Sequence, residues 1–215
     1  MGAADSKQFI PLLGSPAIAY TIAAFQECPV ISDIVVVCRA QDTERISALC
    51  RGNGFNKVIA VTEGGDSRAQ SVKNGVAAAK GAQYLAIHDG ARPLVTPDEI
   101  ACVCEAAFET GAAALGTPVT DTVKVVDENG VIQSTPSRES LRAMQTPQVF
   151  EREFYTFALE NAGEKLDGFT DDCALIENMG GEVSVIDGSR ENIKLTTPID
   201  IVIAESILRQ RGQQA

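Results

Sequence analysis

Apolar residues recur along this chain in two rhythms: short continuous runs, and longer stretches that repeat every three to four positions. The run Ile34-Val35-Val36-Val37-Cys38 reads as a strand buried on both faces, and residues 58–61 and 84–87 read likewise. Helical spacing lies between them. Residues 17–26 put Ile18, Ile22 and Phe25 on one face, with Ser15 as the expected cap. Residues 43–49 predict a second helix, and 67–80 a third that turns Val72, Val76 and Ala79 inward. Thr96-Pro97-Asp98-Glu99 is a capping box with proline at the first helical position, opening a helix to Glu109. Residues 112–115 lead into Pro118; a helix follows over 151–161. Another is capped by Thr170-Asp171-Asp172 and ended by Gly180-Gly181. A strand over 183–186 and a last helix behind Thr197-Pro198 complete the pattern. Such alternation predicts one α/β domain over residues 1–215, with a mostly parallel, doubly wound sheet and helices on both faces.

The rhythm breaks at residues 122–133. Thr122-Val123-Lys124-Val125-Val126 and Val131-Ile132-Gln133 flank Asn129-Gly130, a hairpin turn signal. An isolated two-stranded hairpin is marginal in water, so this one needs a support. The expectation is a protruding β-hairpin dimerisation arm, about residues 118–143, in preference to a hairpin folded back on its own domain.

Charge and composition narrow the partners. A net charge of −11 over 215 residues argues against nucleic acid and anionic membranes, yet leaves room for a small anionic substrate held by local cations. No apolar run approaches membrane-spanning length and no signal-peptide pattern opens the chain, so a cytoplasmic protein is expected. The six cysteines form no C-x-x-C pair, and most sit inside apolar segments, as reduced core thiols would.

Histidine chemistry is limited by count. His88 is the only histidine, stands at a strand end, and reads first as a satisfied core imidazole. No Ser-His-Asp set, His/Cys metal spacing, Walker-type loop or G-x-G-x-x-G is present. What recurs is a cation, carboxylate or hydroxyl near the segment ends: Lys7; Asp66, Arg68 and Ser71 behind Gly64-Gly65; Asp89 and Arg92; Thr122; Arg138; Thr146; Thr170; Lys194. Singly, each reads as a solvated charge or a helix cap. Together they suggest a phosphate-handling site, because Lys and Arg neutralise phosphate oxygens and helix N-termini hold others.

At these residues the chain resembles a family. Lys7-Gln8-Phe9, Gly64-Gly65-Asp66-Ser67-Arg68, His88-Asp89-Gly90-Ala91-Arg92-Pro93, Asp121-Thr122-Val123-Lys124, Gln145-Thr146-Pro147-Gln148, Thr170-Asp171-Asp172 and Asn192-Ile193-Lys194 occur in order. They are similar to motifs of the cytidylyltransferases that act on 2-C-methyl-D-erythritol 4-phosphate. The resemblance implies a Rossmann-like nucleotidyltransferase fold, CTP and the alditol phosphate as substrates, Mg2+, and a homodimer whose sites are lined by both chains. It implies that Lys7 stabilises the α-phosphate, and that Arg138 and Lys194 position the alditol phosphate with Asp89, Arg92, Thr122 and Thr170. Gly65, Asp66 and Ser71 would face the cytidine, with Arg68 and Thr146 in support; no protein ligand to the metal is implied.

The same family opens with a strand and a Gly-rich loop of the form A-A-G-x-G-x-R-M-G. Met1-Gly2 fits the end of that motif. The expectation is that the strand and loop lie before residue 1, or else that the chain is an inactive nucleotide-binding homologue. A buried central strand that is absent leaves both its neighbours with open edges. The related enzymes that make CDP-ribitol share the early motifs, but residues 121–124 and 137–141 resemble the methylerythritol family more. An NAD-dependent dehydrogenase is disfavoured by the missing dinucleotide fingerprint.

Overall fold

A computed structural model describes residues 7–214, apart from the side chains of Lys7, Glu164, Gln213 and Gln214. After a 3-10 turn at Lys7–Phe9 the elements are β1 (Pro11–Leu12), β2 (Ser15–Pro16), α1 (Ala17–Glu27), β3 (Ile34–Cys38), α2 (Thr43–Gly52), β4 (Val58–Glu63) and α3 (Arg68–Ala78). Then come β5 (Tyr84–Ile87), α4 (Pro97–Thr110), β6 (Ala112–Pro118), β7 (Val125–Val126), β8 (Ile132–Ser134), β9 (Arg142–Glu151) and α5 (Arg152–Ala162). Last are α6 (Asp172–Asn178), β10 (Ser184–Asp187) and α7 (Pro198–Gln214).

Local chemistry accounts for most boundaries. The Ser67 side chain accepts from the Gln70 N–H at 3.0 Å and starts α3. Thr96 and Glu99 exchange both bonds of the capping box at α4. Asp171 caps α6 by accepting from the Ala174 N–H at 2.9 Å. Ser15 does not cap α1: it pairs in β2, Pro16 holds the cap position, and the Ala17 N–H is met by the Ile10 carbonyl at 2.9 Å. A backbone acceptor has displaced the side chain there.

The expected mostly parallel sheet is instead mixed. One sheet runs β10-β6-β9-β5, in which only β10 and β6 are parallel; β9 is antiparallel to both β6 and β5. Its cause is the ten-residue β9, which lies after the hairpin and returns the chain between β6 and β5. Helices do cover both faces of this sheet. Ala112, Ala114 and Phe150 pack with α5 and α6, while Ala113, Leu115 and Val149 pack with α1 and α4. That is the period-two alternation of a strand buried on both sides.

The second sheet is the parallel pair β3-β4. Among the described residues, the inner edges of β3 and β5 carry no strand partner. A cavity of about 390 Å³ runs between them, lined by consecutive residues of β3 (34–37) and β5 (84–87). Ile18, Ile22 and Phe25 of α1 close one side, and Val72, Gly75 and Val76 of α3 the other. A Cβ on Gly75 would stand 2.8 Å from Val37, so α3 packs on β3 at glycine distance.

Beyond β6 the hairpin β7-β8 projects with Val123, Val125, Val126, Val131 and Ile132 all exposed. Five cysteines, Cys28, Cys38, Cys50, Cys104 and Cys173, are buried free thiols, while Cys102 is exposed. Burial pushes the Cys104 thiol up to about 12, so it stays protonated and inert.

Candidate active site

The site lies where β5 ends. The chain leaves Ile87 into His88-Asp89, and the Asp89 carboxylate meets three cations, one opening α3 and two on the loops after β5 and β10. Lys194 Nζ donates to Asp89 Oδ2 at 2.9 Å, Arg92 Nε stands 3.7 Å from the same oxygen, and Arg68 Nε stands 3.7 Å from Oδ1. Burial alone would raise the Asp89 carboxyl; the Lys194 hydrogen bond and charge, then Arg68 and Arg92, outweigh it and hold it below the ordinary range. Arg68 opens α3 just past the end of β4, so β4 and β5 deliver their C-terminal ends to one rim, where open α/β sheets place ligands.

The two arginines are anchored away from Asp89. Arg92 Nη1 donates to the Asn192 carbonyl at 2.8 Å, leaving its buried Nε without a hydrogen-bond partner. Desolvation lowers the Arg92 pKa, with Asp89 opposing. Arg68 Nη2 donates to Asp172 Oδ2 at 2.6 Å. Burial disfavours its charge, but Asp172 and then Asp89 outweigh that and raise its pKa. Lys194 follows the fully buried Asn192, whose Nδ2 donates to the Thr146 carbonyl at 3.0 Å.

Thr146 ties this strap to the strand end. Its Oγ1 accepts from the Asp89 N–H at 3.1 Å and stands 3.0 Å from His88 Nδ1, while His88 Nε2 is 3.2 Å from the Arg92 carbonyl. A carbonyl only accepts, so Nε2 carries the proton and Nδ1 accepts from the threonine hydroxyl. Desolvation lowers the His88 pKa to about 4. The imidazole is neutral and fully engaged, a positioning group with no proton to trade, as the strand-end reading expects.

The structure brings Arg68, Asp89, Arg92, Thr146 and Lys194 into one cluster, and Ser71 joins Arg68 and Asp89 on the cavity wall. Ser71 Oγ accepts from the Gly65 N–H at 3.1 Å and donates to the Ser67 carbonyl at 2.8 Å. A Cβ at Gly64 would meet Ser71 Oγ at 2.7 Å, and one at Gly65 would collide with Gln70. Only glycine permits that approach. Asp66 and Thr170 are exposed on the loops before α3 and α6. Thr122 and Arg138 are exposed on the hairpin segment, where Arg138 Nη1 donates to the Thr120 carbonyl at 3.3 Å; neither touches the Asp89 cluster. The Lys7 side chain lies outside the described residues.

Motif reading gave no role to four buried groups. Gln148 Nε2 donates to Asp171 at 2.9 Å and its Oε1 accepts from the Asp172 and Cys173 N–H groups at 3.0 and 3.2 Å. Gln145 Nε2 donates to the Ser189 carbonyl at 2.9 Å. Asp172 accepts from the Tyr155 hydroxyl at 2.6 Å, and Asn192 organises the strap. Two glutamines inside one apolar strand were the available signal, since buried amides demand partners.

One carboxylate shared by three cations at the rim of an α/β sheet, beside glycine-permitted backbone at a helix N-terminus, is an arrangement suited to phosphorylated ligands. The family model for 2-C-methyl-D-erythritol 4-phosphate cytidylyltransferase matches residues 1–210. The chain therefore belongs to the 2-C-methyl-D-erythritol 4-phosphate cytidylyltransferase family of nucleotidyltransferases. It is 46% identical over 214 residues to the enzyme of that name from Desulforamulus reducens, covering 99% of this chain and 92% of the relative. Identity to the enzyme of Caldanaerobacter subterraneus is 43% over 213 residues, with 95% and 91% covered. The crystal structure of 4-diphosphocytidyl-2C-methyl-D-erythritol synthase from Anaerococcus prevotii superposes with a TM-score of 0.88 at 28% identity, over 96% of this chain and 95% of that one.

Proposed function

We infer that this chain transfers a cytidylyl group from CTP to 2-C-methyl-D-erythritol 4-phosphate, releasing pyrophosphate and forming the CDP-alditol of isoprenoid precursor biosynthesis. The observation that carries this reading is the Asp89 carboxylate shared by Lys194, Arg92 and Arg68. In the free protein that single carboxylate faces three cations, so the cluster keeps a surplus of positive charge even with Asp172 paired to Arg68. An incoming phosphate competes for the same donors, among them Arg92 Nε, which has no hydrogen-bond partner of its own.

No general base is needed. The nucleophile is a phosphate monoester with a second pKa of about 6, already mostly dianionic at neutral pH. The barrier is repulsion between that dianion and a triphosphate, so positioning and charge neutralisation do the work. Lys194 and Arg92 hold the alditol phosphate near Asp89. Gly65, Asp66 and Ser71 receive the nucleoside, with Arg68 and Thr146 fixing the wall between them, and Lys7 faces the α-phosphate.

Among the described residues no cluster of three or more His, Cys, Asp or Glu could hold a metal ion. Mg2+ in nucleotide sites is commonly held by one or two carboxylates together with substrate phosphates, so it does not require such a cluster. When bound, it supplies further neutralisation of the triphosphate.

The exposed valines of β7-β8 support a homodimer in which each hairpin packs on the partner. In that assembly Arg138 and Thr122, which lie away from the Asp89 cluster, serve a site shared between the chains. The remaining chain, residues 1–215 apart from an arm at 118–143, forms one domain. No helix of the described residues is long and apolar enough to cross a membrane, and the polar substrates suit a cytoplasmic reaction.

Pyrophosphate release from CTP with each alditol phosphate tests the reading. Release with methylerythritol phosphate and little with ribitol 5-phosphate is expected; preference for ribitol 5-phosphate would reassign the substrate. No release with either, while calorimetry still detects CTP binding, would mark an inactive nucleotide-binding homologue.

A further inference from the structure

Arg68 is held from behind by groups that lie outside the expected substrate contacts. Its Nη2 donates to Asp172 Oδ2 at 2.6 Å, and the other oxygen of that carboxylate accepts from the Tyr155 hydroxyl at 2.6 Å. Asp172 is 4% exposed and Tyr155 fully buried, stacked on Phe150 with ring centroids 5.1 Å apart. The backbone N–H of Asp172 is fixed by Gln148, so the carboxylate is restrained on both its main-chain and side-chain sides. On its other flank Arg68 stands 3.7 Å from Asp89, and 40% of its side chain is open to solvent.

One guanidinium therefore bridges a buried carboxylate and the site carboxylate. Its planar fork presents donors in fixed directions, so fixing Nη2 fixes where Nε and Nη1 face. Burial and the Asp172 charge push the Tyr155 phenol up, so it remains a donor. Without that donor, Asp172 Oδ1 would be a buried oxygen lacking a partner, and the carboxylate would turn to take a second bond from Arg68.

We propose that Tyr155 and Asp172 are positioning residues that act through Arg68, setting its guanidinium against Asp89 and thereby setting how Asp89 is shared with Lys194 and Arg92. Neither residue touches substrate. The proposal rests on the cytidylyl-transfer reading for its assay and adds a polar relay to it, running from the α5–α6 core to the sheet rim. Tyr155 keeps its ring on Phe150 while its hydroxyl alone serves the relay.

A double-mutant cycle tests it, with Tyr155→Phe made in the wild-type and Arg68→Ala backgrounds and assayed well below the melting temperature of every variant. In the wild-type background KM for the alditol phosphate is expected to rise roughly tenfold, the low end of the effect of losing one hydrogen bond to a charged group. In the Arg68→Ala background the same substitution is expected to change KM by less than about twofold, since the path is already cut. Equal fold-changes in the two backgrounds would overturn the proposal, as would a lower melting temperature with KM unmoved in both. Asp172→Asn in the same cycle gives a second reading should Tyr155→Phe fail to fold, with the same expected non-additivity. Wild-type enzyme that releases no pyrophosphate refutes the function; active wild type with an additive cycle refutes only the relay.

Discussion

The two central strands of the four-stranded sheet and the two strands of the smaller sheet differ sharply in burial. In β6 six of seven residues are buried, and in β9 residues 145–150 are buried without a break. In β3, a run of isoleucine, valines and cysteine, only Val36 and Cys38 are buried; β4 has no fully buried residue and Ile59 is 52% exposed. Composition does not explain this. β6 and β9 have partners on both edges and helices on both faces, whereas β3 faces a cavity across its inner edge. The lesson is that a β-branched run states how buried a strand can be, and its neighbours decide how buried it is. The site sits where the two sheets meet, with its fixed groups anchored on the closed side: Thr146 on β9, and Asp172 and Asn192 on segments that β9 glutamines hold.

The closed sheet also launches the hairpin from the ends of β6 and β9, and removing that hairpin is expected to have the largest effect. Deletion of residues 121–135 should abolish dimers and activity together, read by light scattering and pyrophosphate release; an active monomer would detach the arm from the site. Next in size is a pair of truncations. Leu115→Ala, at a fully buried β6 position outside the cavity lining, should cost about 3 kcal/mol in urea unfolding, the lost methylene transfer plus a new cavity. Val36→Ala should cost at most about 1.6 kcal/mol, two CH2 equivalents, because space already stands beside it. Equal costs would erase the contrast between the sheets.

The last effect is confined to acid and concerns the border residue His88. Its folded pKa of about 4 lies below the unfolded value, so the unfolded chain takes up a proton that the native state refuses as pH falls from 6.5 to 4. Stability should therefore fall over that window by up to about 3 kcal/mol, and His88→Gln should flatten the fall. Asp89, held below its ordinary range, contributes a loss of the same sign at lower pH in both proteins. An unchanged pH dependence in the variant would show that His88 titrates normally.

Much of this was readable before any coordinates. The strand β3 has the predicted bounds, the α4 capping box forms, and Asp89, Arg92, Thr146 and Lys194 converge because strand ends and helix starts share one rim. What escaped was β9. Gln145-Thr146-Pro147-Gln148 carries no strand pattern, yet these residues are buried in mid-sheet because the glutamine amides find partners 23 to 47 positions away. Such satisfaction is a tertiary fact that no local pattern carries. The mixed sheet follows from the same omission, since an unseen antiparallel strand changes the count of parallel pairs. The roles of Tyr155 and Asp172 were hidden for a like reason: a helical tyrosine and a first-turn aspartate look like packing and capping until their side chains are seen to meet.

The central claim is that fixed positive charge around Asp89, without a proton shuttle, organises transfer between two anions. Its most direct test is turnover of Lys194→Ala with CTP and 2-C-methyl-D-erythritol 4-phosphate. Loss of that cation should lower kcat by about 100- to 1,000-fold, the effect of removing one preorganised donor, with the melting temperature nearly unchanged because the side chain is 44% exposed. Turnover equal to wild type in a folded Lys194→Ala enzyme would contradict the account.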